Sequence, residues 1–295
     1  MVRKHWNAPR DLETIPRSIL RKFKRLPPSS SYPFLSGDTF KSFCAFEFDG
    51  LGDVHLNSDT DSRFVRSDFI FANAFPDSTA AKNLYQNLND AALSSFSAYS
   101  LVIHNGDQIP SEEEMLFLSK LFKRIYSVNW LGDRKIAIPL PIGLENRSKR
   151  RNGVPKDFEK MISAGLPDWL ERDINLLVCF SIHTNVVERS SAIGACVEIN
   201  GVQIFLDPMT PKEYRKLVLR SKHVLSPPGN GPDCHRTWES IYLGAIPIVH
   251  QNSWPDFGSE LPVEVVKDWT EIKDVIRKIR SNRPSELQTP DLWLK

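Results

Sequence analysis

Residues 223 to 250 hold the densest set of chemically useful side chains in this sequence. They read His223-Val-Leu-Ser-Pro-Pro-Gly-Asn-Gly-Pro-Asp-Cys-His-Arg-Thr-Trp-Glu-Ser-Ile-Tyr-Leu-Gly-Ala-Ile-Pro-Ile-Val-His250. A short apolar strand ends at Ser226, and a Pro/Gly loop follows. A helix is expected from about Asp233 to Leu243, then Gly244 and a second strand. Strand, glycine loop and helix start together make a cradle for phosphate, because free backbone N–H groups and the helix dipole both attract anions. His235 and Arg236 fall in the first turn. A cation there opposes the dipole by roughly 0.3–1 kcal/mol, so Arg236 implies an anion that offsets it. Gly229 and Gly231 are expected to give the loop positive φ and a close approach to the ligand. Pro228 and Asn230 complete that loop. A plain Pro/Gly turn before a helix capped by Asp233 is the structural alternative. Glu239 lies three residues after Arg236, on the same helix face. It can accept hydrogen bonds from both hydroxyls of a ribose, or pair with Arg236 within the helix.

This segment resembles the nucleotide-sugar signature of exostosin-like glycosyltransferases. The likeness is specific over about 221 to 255, looser from 174 to 190 and faint in the first half. It implies a GT-B architecture, two Rossmann-like domains with a cleft between them, and transfer from a UDP-sugar with inversion. By the same resemblance Arg236 faces the diphosphate, Glu239 the ribose, and Pro228, Gly229, Asn230 and Gly231 border the pyrophosphate or sugar; His235, beside Arg236 in the first turn, is expected among the donor-binding residues. The family's Pro-Arg-Gly is Pro227-Pro228-Gly229 here, which removes one phosphate-binding arginine. The stretch Ser181-Ile-His-Thr-Asn-Val-Val-Glu-Arg189 resembles the family loop that adds a basic residue to the donor phosphates. Arg189 is the residue implied, with a capped surface helix as the alternative.

Inverting transfer needs a base for the acceptor hydroxyl. Asp38, Asp49, Asp53, His55, His104 and Asp107 are the first-half candidates, with Asp38 and Asp107 ranked first. Asp107 follows a strand, where cleft residues belong, although Asn105-Gly106-Asp107 also reads as a turn. Glu145 is a candidate for acceptor binding, and Trp254 and Pro255 for the pocket wall or the core. No metal ligands cluster in the sequence, and no metal is expected: Arg and the helix dipole would meet the diphosphate charge. No prosthetic group is expected.

The elements that must position these residues follow from hydrophobic spacing. In the first half, strands are expected at Phe43–Phe48, Ser67–Ala72, Ser100–His104, Ile125–Trp130 and Ile136–Pro139. Helices are expected at Thr79–Phe96 and after the Ser111/Glu114 capping box. Asn146 to Lys156 reads as a basic linker. The second half alternates strands Ile174–Phe180, Val202–Leu206, the one near Val224, Ile246–Val249 and Val263–Val266 with helices. Those helices are Val186–Val197, one capped by Thr210-Pro211 with Glu213, Asp233–Leu243, and one after Thr270 that could turn back toward the first half. The expected organisation is a basic arm over 1–30, an acceptor domain with linker over 31–172, and a nucleotide-sugar domain over 173–295. The fold class is α/β, two Rossmann-like domains of GT-B type with an interdomain cleft, and the repeated β-α-β units of the second half imply a doubly wound sheet.

Composition narrows the classes. With 41% hydrophobic and 25% charged residues the chain suits a folded soluble protein. A net charge of +2 argues against a nucleic-acid partner. Four scattered cysteines suit a reducing compartment, and the expected location is cytoplasmic. The arm suits weak contact with an anionic membrane surface. The expected partners are a nucleotide-sugar donor and a carbohydrate acceptor. Two rivals remain: a binding module on a degenerate transferase fold, and a nucleotide-sugar epimerase. The second is weakened by the missing Gly-x-Gly-x-x-Gly and Tyr-x-x-x-Lys motifs.

Overall fold

The structure is a computed structural model that describes residues 31–48, 54–62, 65–74, 96–147, 149, 154–257 and 261–277. The basic arm, Asp49, Asp53 and nearly all of the expected Thr79–Phe96 helix lie outside the described residues. Two mostly parallel sheets carry the chain, six strands in the first and five in the second.

The first sheet contains β1 (Cys44–Phe48), β2 (Val54–Leu56), β3 (Arg66–Asn73), β4 (Ser100–His104), β5 (Arg124–Val128) and β6 (Ile138–Leu140). Their order is β2-β1-β3-β4-β5-β6, with β2 antiparallel at the edge and the others parallel. Helix α1 (Gly37–Phe43) covers one face through Phe40 and Phe43, packed with Phe69, Phe71 and Tyr126. Helix α2 (Glu112–Ser119) covers the other through Met115 and Leu118, packed with Ile70, Leu101 and Ile103. The Ser111/Glu114 capping box forms as expected. Neither α1 nor β2 was expected from spacing. β2 is half exposed, so it carries no apolar alternation to read. α1 is short, and its signal is local: the Ser36 side chain accepts a hydrogen bond from the Thr39 N–H.

The second sheet contains β7 (Ile174–Cys179), β8 (Val202–Phe205), β9 (Ser221–Leu225), β10 (Ile246–His250) and β11 (Glu264–Val266), in the order β11-β10-β9-β7-β8. The order reverses at β7, which puts a topological switch point between β7 and β9. The first sheet shows the same reversal at β1, between β1 and β3, but its outer strand β2 is an antiparallel hairpin partner rather than a parallel crossover strand. β7 is apolar on both faces. Leu176, Val178 and Phe180 join one core with Leu225, Ile248 and Val266, while Leu177 and Cys179 join the other with Val224, Trp238 and Leu243. That two-sided burial is why β7 reads as an unbroken apolar run.

Helices α3 (Pro155–Ser163), α4 (Val186–Gly194), α5 (Pro211–Arg220), α6 (His235–Tyr242) and α7 (Ile272–Arg277) complete the second half. Thr210 and Glu213 form the expected capping box on α5. α7 buries Ile272 and Val275 against the second sheet, and any continuation lies outside the described residues. Among the described residues no helix is long and apolar enough to cross a membrane.

The two halves touch through buried groups. Phe34 meets the Tyr242 ring edge-on, with centroids 4.9 Å apart. The Leu35 N–H donates to the Tyr242 hydroxyl at 2.8 Å. The Ile142 N–H donates to the Asp233 carboxylate at 2.8 Å. Arg172, 3% exposed, ties the second half together. Its guanidinium donates to the carbonyls of Val218, Ser221 and Leu243, at the C-terminal ends of α5 and α6. A cation there satisfies orphan carbonyls and the negative ends of two helix dipoles at once.

Candidate functional site

The carboxyl ends of β7 and β9 bound the switch point, and two arginines converge there. Arg189 on α4 is buried, at 4% exposed. Its Nε donates to the Pro228 carbonyl at 2.9 Å and its Nη1 to the Ser181 carbonyl. Arg236 on α6 donates from Nε to the Cys179 carbonyl at 3.2 Å. Both guanidinium carbons sit over the Phe180 ring, 5.2 and 5.0 Å from its centroid. Among the described residues every oxygen these two arginines bond is a main-chain carbonyl, and neither forms an ion pair with a carboxylate. Arg236 Nη1 is buried without a hydrogen-bond partner. Burial lowers the pKa of Arg189, and the neighbouring Arg236 charge lowers it further. Two cations over one aromatic ring, neither in an ion pair with a carboxylate, form a site complementary to an anion. The surface-arginine alternative for Arg189 is therefore overturned: the side chain is internal and holds the loop.

Helix α6 starts at His235, two residues later than expected, with Cys234 as its N-cap and no side-chain cap hydrogen bond. Asp233 is not the cap. Its carboxylate turns inward and accepts from Ile142 N–H, Cys234 N–H and Trp238 Nε1–H, the last at 2.8 Å. Burial pushes its pKa up to about 6, against those bonds. Trp238 is core, stacked on Trp254, which packs against Phe257.

The glycines act differently from expectation. Neither Gly229 nor Gly231 has positive φ; the glycines that do are Gly143, Gly165, Gly201 and Gly244. A Cβ on Gly229 would lie 2.8 Å from Arg189 Nη2. One on Gly231 would lie 2.9 Å from the Asp107 carbonyl and 3.0 Å from Asn129 Nδ2. The Gly229 N–H is spent on the Gly231 carbonyl at 3.0 Å. These glycines let protein approach protein: the loop is clamped between α4 and the β4 end of the first half. Asn185 caps α4 as expected and donates to the Gly229 carbonyl at 3.3 Å.

Glu239 does not pair with Arg236. The nearest cation is Arg215, 4.0 Å away, which is itself 1% exposed and bound to Asp157 at 2.8 Å. Burial raises the Glu239 pKa, while Arg215, His235 and Arg236 lower it. Tyr214 on α5 has a buried hydroxyl beside Ser240, and burial raises its pKa while Glu239 and Arg236 act on its charge.

The first-half candidates separate. Asp38 is saturated: its carboxylate accepts from Ser31 and Ser36 hydroxyls and from Arg147 N–H at 3.0 Å, while its own N–H donates to Asn146. Those bonds tie the start of α1 to the 146–147 turn, so Asp38 is a joint rather than a base. His104 is core at 1% exposed. It accepts at Nδ1 from Asn105 N–H and donates from Nε2 to the Pro141 carbonyl at 3.0 Å. Burial holds its pKa down to about 4. His55 pairs with Glu47 on the β1–β2 edge, away from the switch point. Asp107 does reach the site. It is exposed, and its Oδ2 accepts from Asn230 Nδ2 at 3.1 Å. Two strand ends supply left-handed residues here, Asn105 at φ 67° and Asn129 at φ 59°. Glu145 lies across from α6, with Oε2 3.6 Å from His235 Nε2. His235 thus points to the first half rather than toward Arg189. Arg172 and Arg215 were missed by spacing, because their partners lie far along the chain.

No three His, Cys, Asp or Glu side chains group as metal ligands would among the described residues. A scan against protein-family models finds no match to this chain, and a search of curated proteins finds no significant relative.

Proposed function

We propose that the protein transfers a sugar from a UDP-sugar to a carbohydrate acceptor, with inversion, on a GT-B arrangement. In this reading the diphosphate rests between Arg189 and Arg236 at the start of α6, and Glu239 takes the ribose. The acceptor enters from the first half, where Asp107, Glu145 and the 228–231 loop line the junction. The observation that carries the reading is the pair of guanidiniums at the β7–β9 switch point, bonded only to carbonyls, with Arg236 Nη1 left over. Open α/β sheets bind ligands at that place. The resemblance of residues 221 to 255 to exostosin-like enzymes supplies the sugar-nucleotide class. In the reaction the C1–O bond to phosphate breaks, and the charge that develops on the departing diphosphate meets two arginines and the uncapped first turn.

A thermal-shift series with UDP-, GDP- and ADP-sugars tests this. Ligand at a hundred times its Kd stabilises by about 2.7 kcal/mol, which is easily read. UDP compounds are expected to shift the melting point most. A flat response to every nucleotide refutes the reading. The non-catalytic module stays as the second reading because Asp38 is saturated and Asp107 is tied to Asn230. Slow release of UDP from a UDP-sugar in water separates the two.

A further inference from the structure

The base for this reaction was sought among first-half carboxylates, yet the most fully oriented proton acceptor at the junction is on α6. His235 Nδ1 lies 2.8 Å from the Gly143 carbonyl. A carbonyl only accepts, so Nδ1 carries the proton and the neutral ring presents Nε2 as a lone pair. Nε2 faces Glu145 Oε2 at 3.6 Å, with the two side chains 34% and 24% exposed. That gap is too long for a direct hydrogen bond, and it leaves Nε2 free to receive a proton.

The orienting groups are fixed in turn. Gly143 sits at φ +68°, and a Cβ there would fall 2.1 Å from the Leu35 carbonyl. Its neighbours are pinned on both sides: Ile142 N–H donates to Asp233, and Leu144 N–H donates to the Leu35 carbonyl at 2.7 Å. Three successive residues of one turn therefore hold α6, the imidazole and the first half in register. Such support from surrounding backbone is what a reacting group needs to keep its geometry. The adjacent residue Arg236 points to the switch point, so one helical turn offers a cation to the phosphate and a base to the other side.

We propose that His235 is the catalytic base, with Glu145 as the positioning carboxylate that stabilises its imidazolium. The proposal rests on the UDP-sugar reading above. The acceptor O–H bond breaks and its proton goes to His235 Nε2. The acceptor oxygen forms a bond to the anomeric carbon from the face opposite the leaving group. The anomeric C–O bond breaks, and its electron pair leaves on the β-phosphoryl oxygen of UDP. With water as acceptor the products are free sugar and UDP. The charged groups around the imidazole are Glu145 from the turn after β6, Glu239 and Arg236 from its own helix, Asp233 before that helix, and His104 from β4.

The test measures UDP binding by calorimetry, and UDP release from UDP-hexoses and UDP-xylose between pH 5 and 9. The full-length wild type, His235→Asn, Glu145→Gln and Asp107→Asn are compared. Asparagine retains a donor for the Gly143 carbonyl, so the His235→Asn fold and its UDP affinity are expected to persist within about threefold. Its UDP release is expected to fall about 100-fold or more, with loss of the acidic limb of kcat/KM. Glu145→Gln is expected to move that limb to lower pH, since the imidazolium loses its carboxylate. Wild-type release and an unchanged limb in His235→Asn overturn the proposal, as does an inactive Asp107→Asn beside an active His235→Asn. A wild type that binds UDP but releases none overturns catalysis by His235 while the nucleotide site stands. A wild type that binds no UDP strikes the underlying reading instead.

Discussion

Replacing Arg236 by methionine should separate ligand binding from stability, because the two respond to the guanidinium with opposite signs. Methionine keeps an apolar stem over Phe180 and removes the charge. In the unliganded protein the substitution loses the Nε–Cys179 carbonyl bond, worth about 1.5–3 kcal/mol for a charged donor. It also removes a buried Nη1 that has no partner, which relieves about 1–3 kcal/mol of desolvation. Arg189 loses a like charge across the ring, a further gain. These effects offset, so the net change should stay within about 1 kcal/mol, or roughly 2 °C in Tm at this chain length. A buried arginine whose carboxylate partner is left behind would instead cost about 3–5 kcal/mol, more than 6 °C.

Ligand binding should move much further. Each charge-assisted bond to a diphosphate is worth about 1.5–3 kcal/mol, so Arg236→Met should weaken UDP by about 10- to 150-fold. The assay pairs a thermal melt of the unliganded variants with calorimetric titration of UDP. Arg236→Lys keeps charge without the fork and should fall between wild type and Arg236→Met. A loss of about 5 °C or more with unchanged UDP affinity would show that the guanidinium is there for the fold, and the anion argument would fail.

Tyr242→Phe leaves the Leu35 N–H buried without its acceptor. It should cost about 1–3 kcal/mol in a denaturant melt, and a neutral result would mean the junction relaxes around it. Gly244→Ala forces a Cβ onto a φ of +74° and to 2.8 Å from Arg172 Nη2, so it should destabilise by about 1–2 kcal/mol or more. His104 is held neutral with its pKa near about 4, below the ordinary value of 6.5. Its contribution is full above pH 6.5 and is lost as pH falls toward 4, by roughly 3 kcal/mol. The buried Asp233 carboxyl, raised to about 6, acts with the opposite sign: its contribution is present below 3.8 and lost as pH rises through 6. His104→Gln, which keeps a donor for Pro141, should therefore be relatively more stable than wild type at pH 4 than at pH 7, read by urea melts at both. Ser181→Asp puts a carboxylate beside Arg189 and should raise the Tm of the unliganded protein while weakening UDP at least tenfold; a lower Tm with full affinity would contradict it.

What the sequence made legible was what depends on near neighbours. The Ser111/Glu114 and Thr210/Glu213 boxes close over three residues, and β7 shows its two-sided burial as an unbroken apolar run. The switch point needs strand order, which spacing does not contain. Asp38 looked like a base because its partners Asn146 and Arg147 are over a hundred residues away. Asp233 looked like a helix cap because residue type favours that role, yet Ile142 and Trp238 draw the carboxylate inward. The glycines of the 228–231 loop permit a close approach, and the structure shows it made by Arg189 at Gly229 and by Asp107 and Asn129 at Gly231, contacts that lie far along the chain. His235 was grouped with the phosphate residues by adjacency to Arg236, although neighbours on a helix face about 100° apart.

Four inward-facing arginines of the second half give an internal comparison. Arg172 satisfies the carbonyl ends of two helices, where its charge is matched by helix dipoles. Arg215 lies over Phe158 and meets the carboxylates of Asp157 and Glu239. Those two are compensated by the protein itself. Arg189 and Arg236 share Phe180 and lie at the positive end of α6, the one place among the four where dipole and charge have the same sign. For stability alone the guanidinium of Arg236 is nearly dispensable, since the bond it makes to the Cys179 carbonyl is offset by its unpartnered Nη1. Under the proposed function a diphosphate between them would meet both charges over the Phe180 ring. In that reading the missing side-chain cap of α6 is consistent with the site, because an acidic cap would compete with the diphosphate for the first-turn N–H groups.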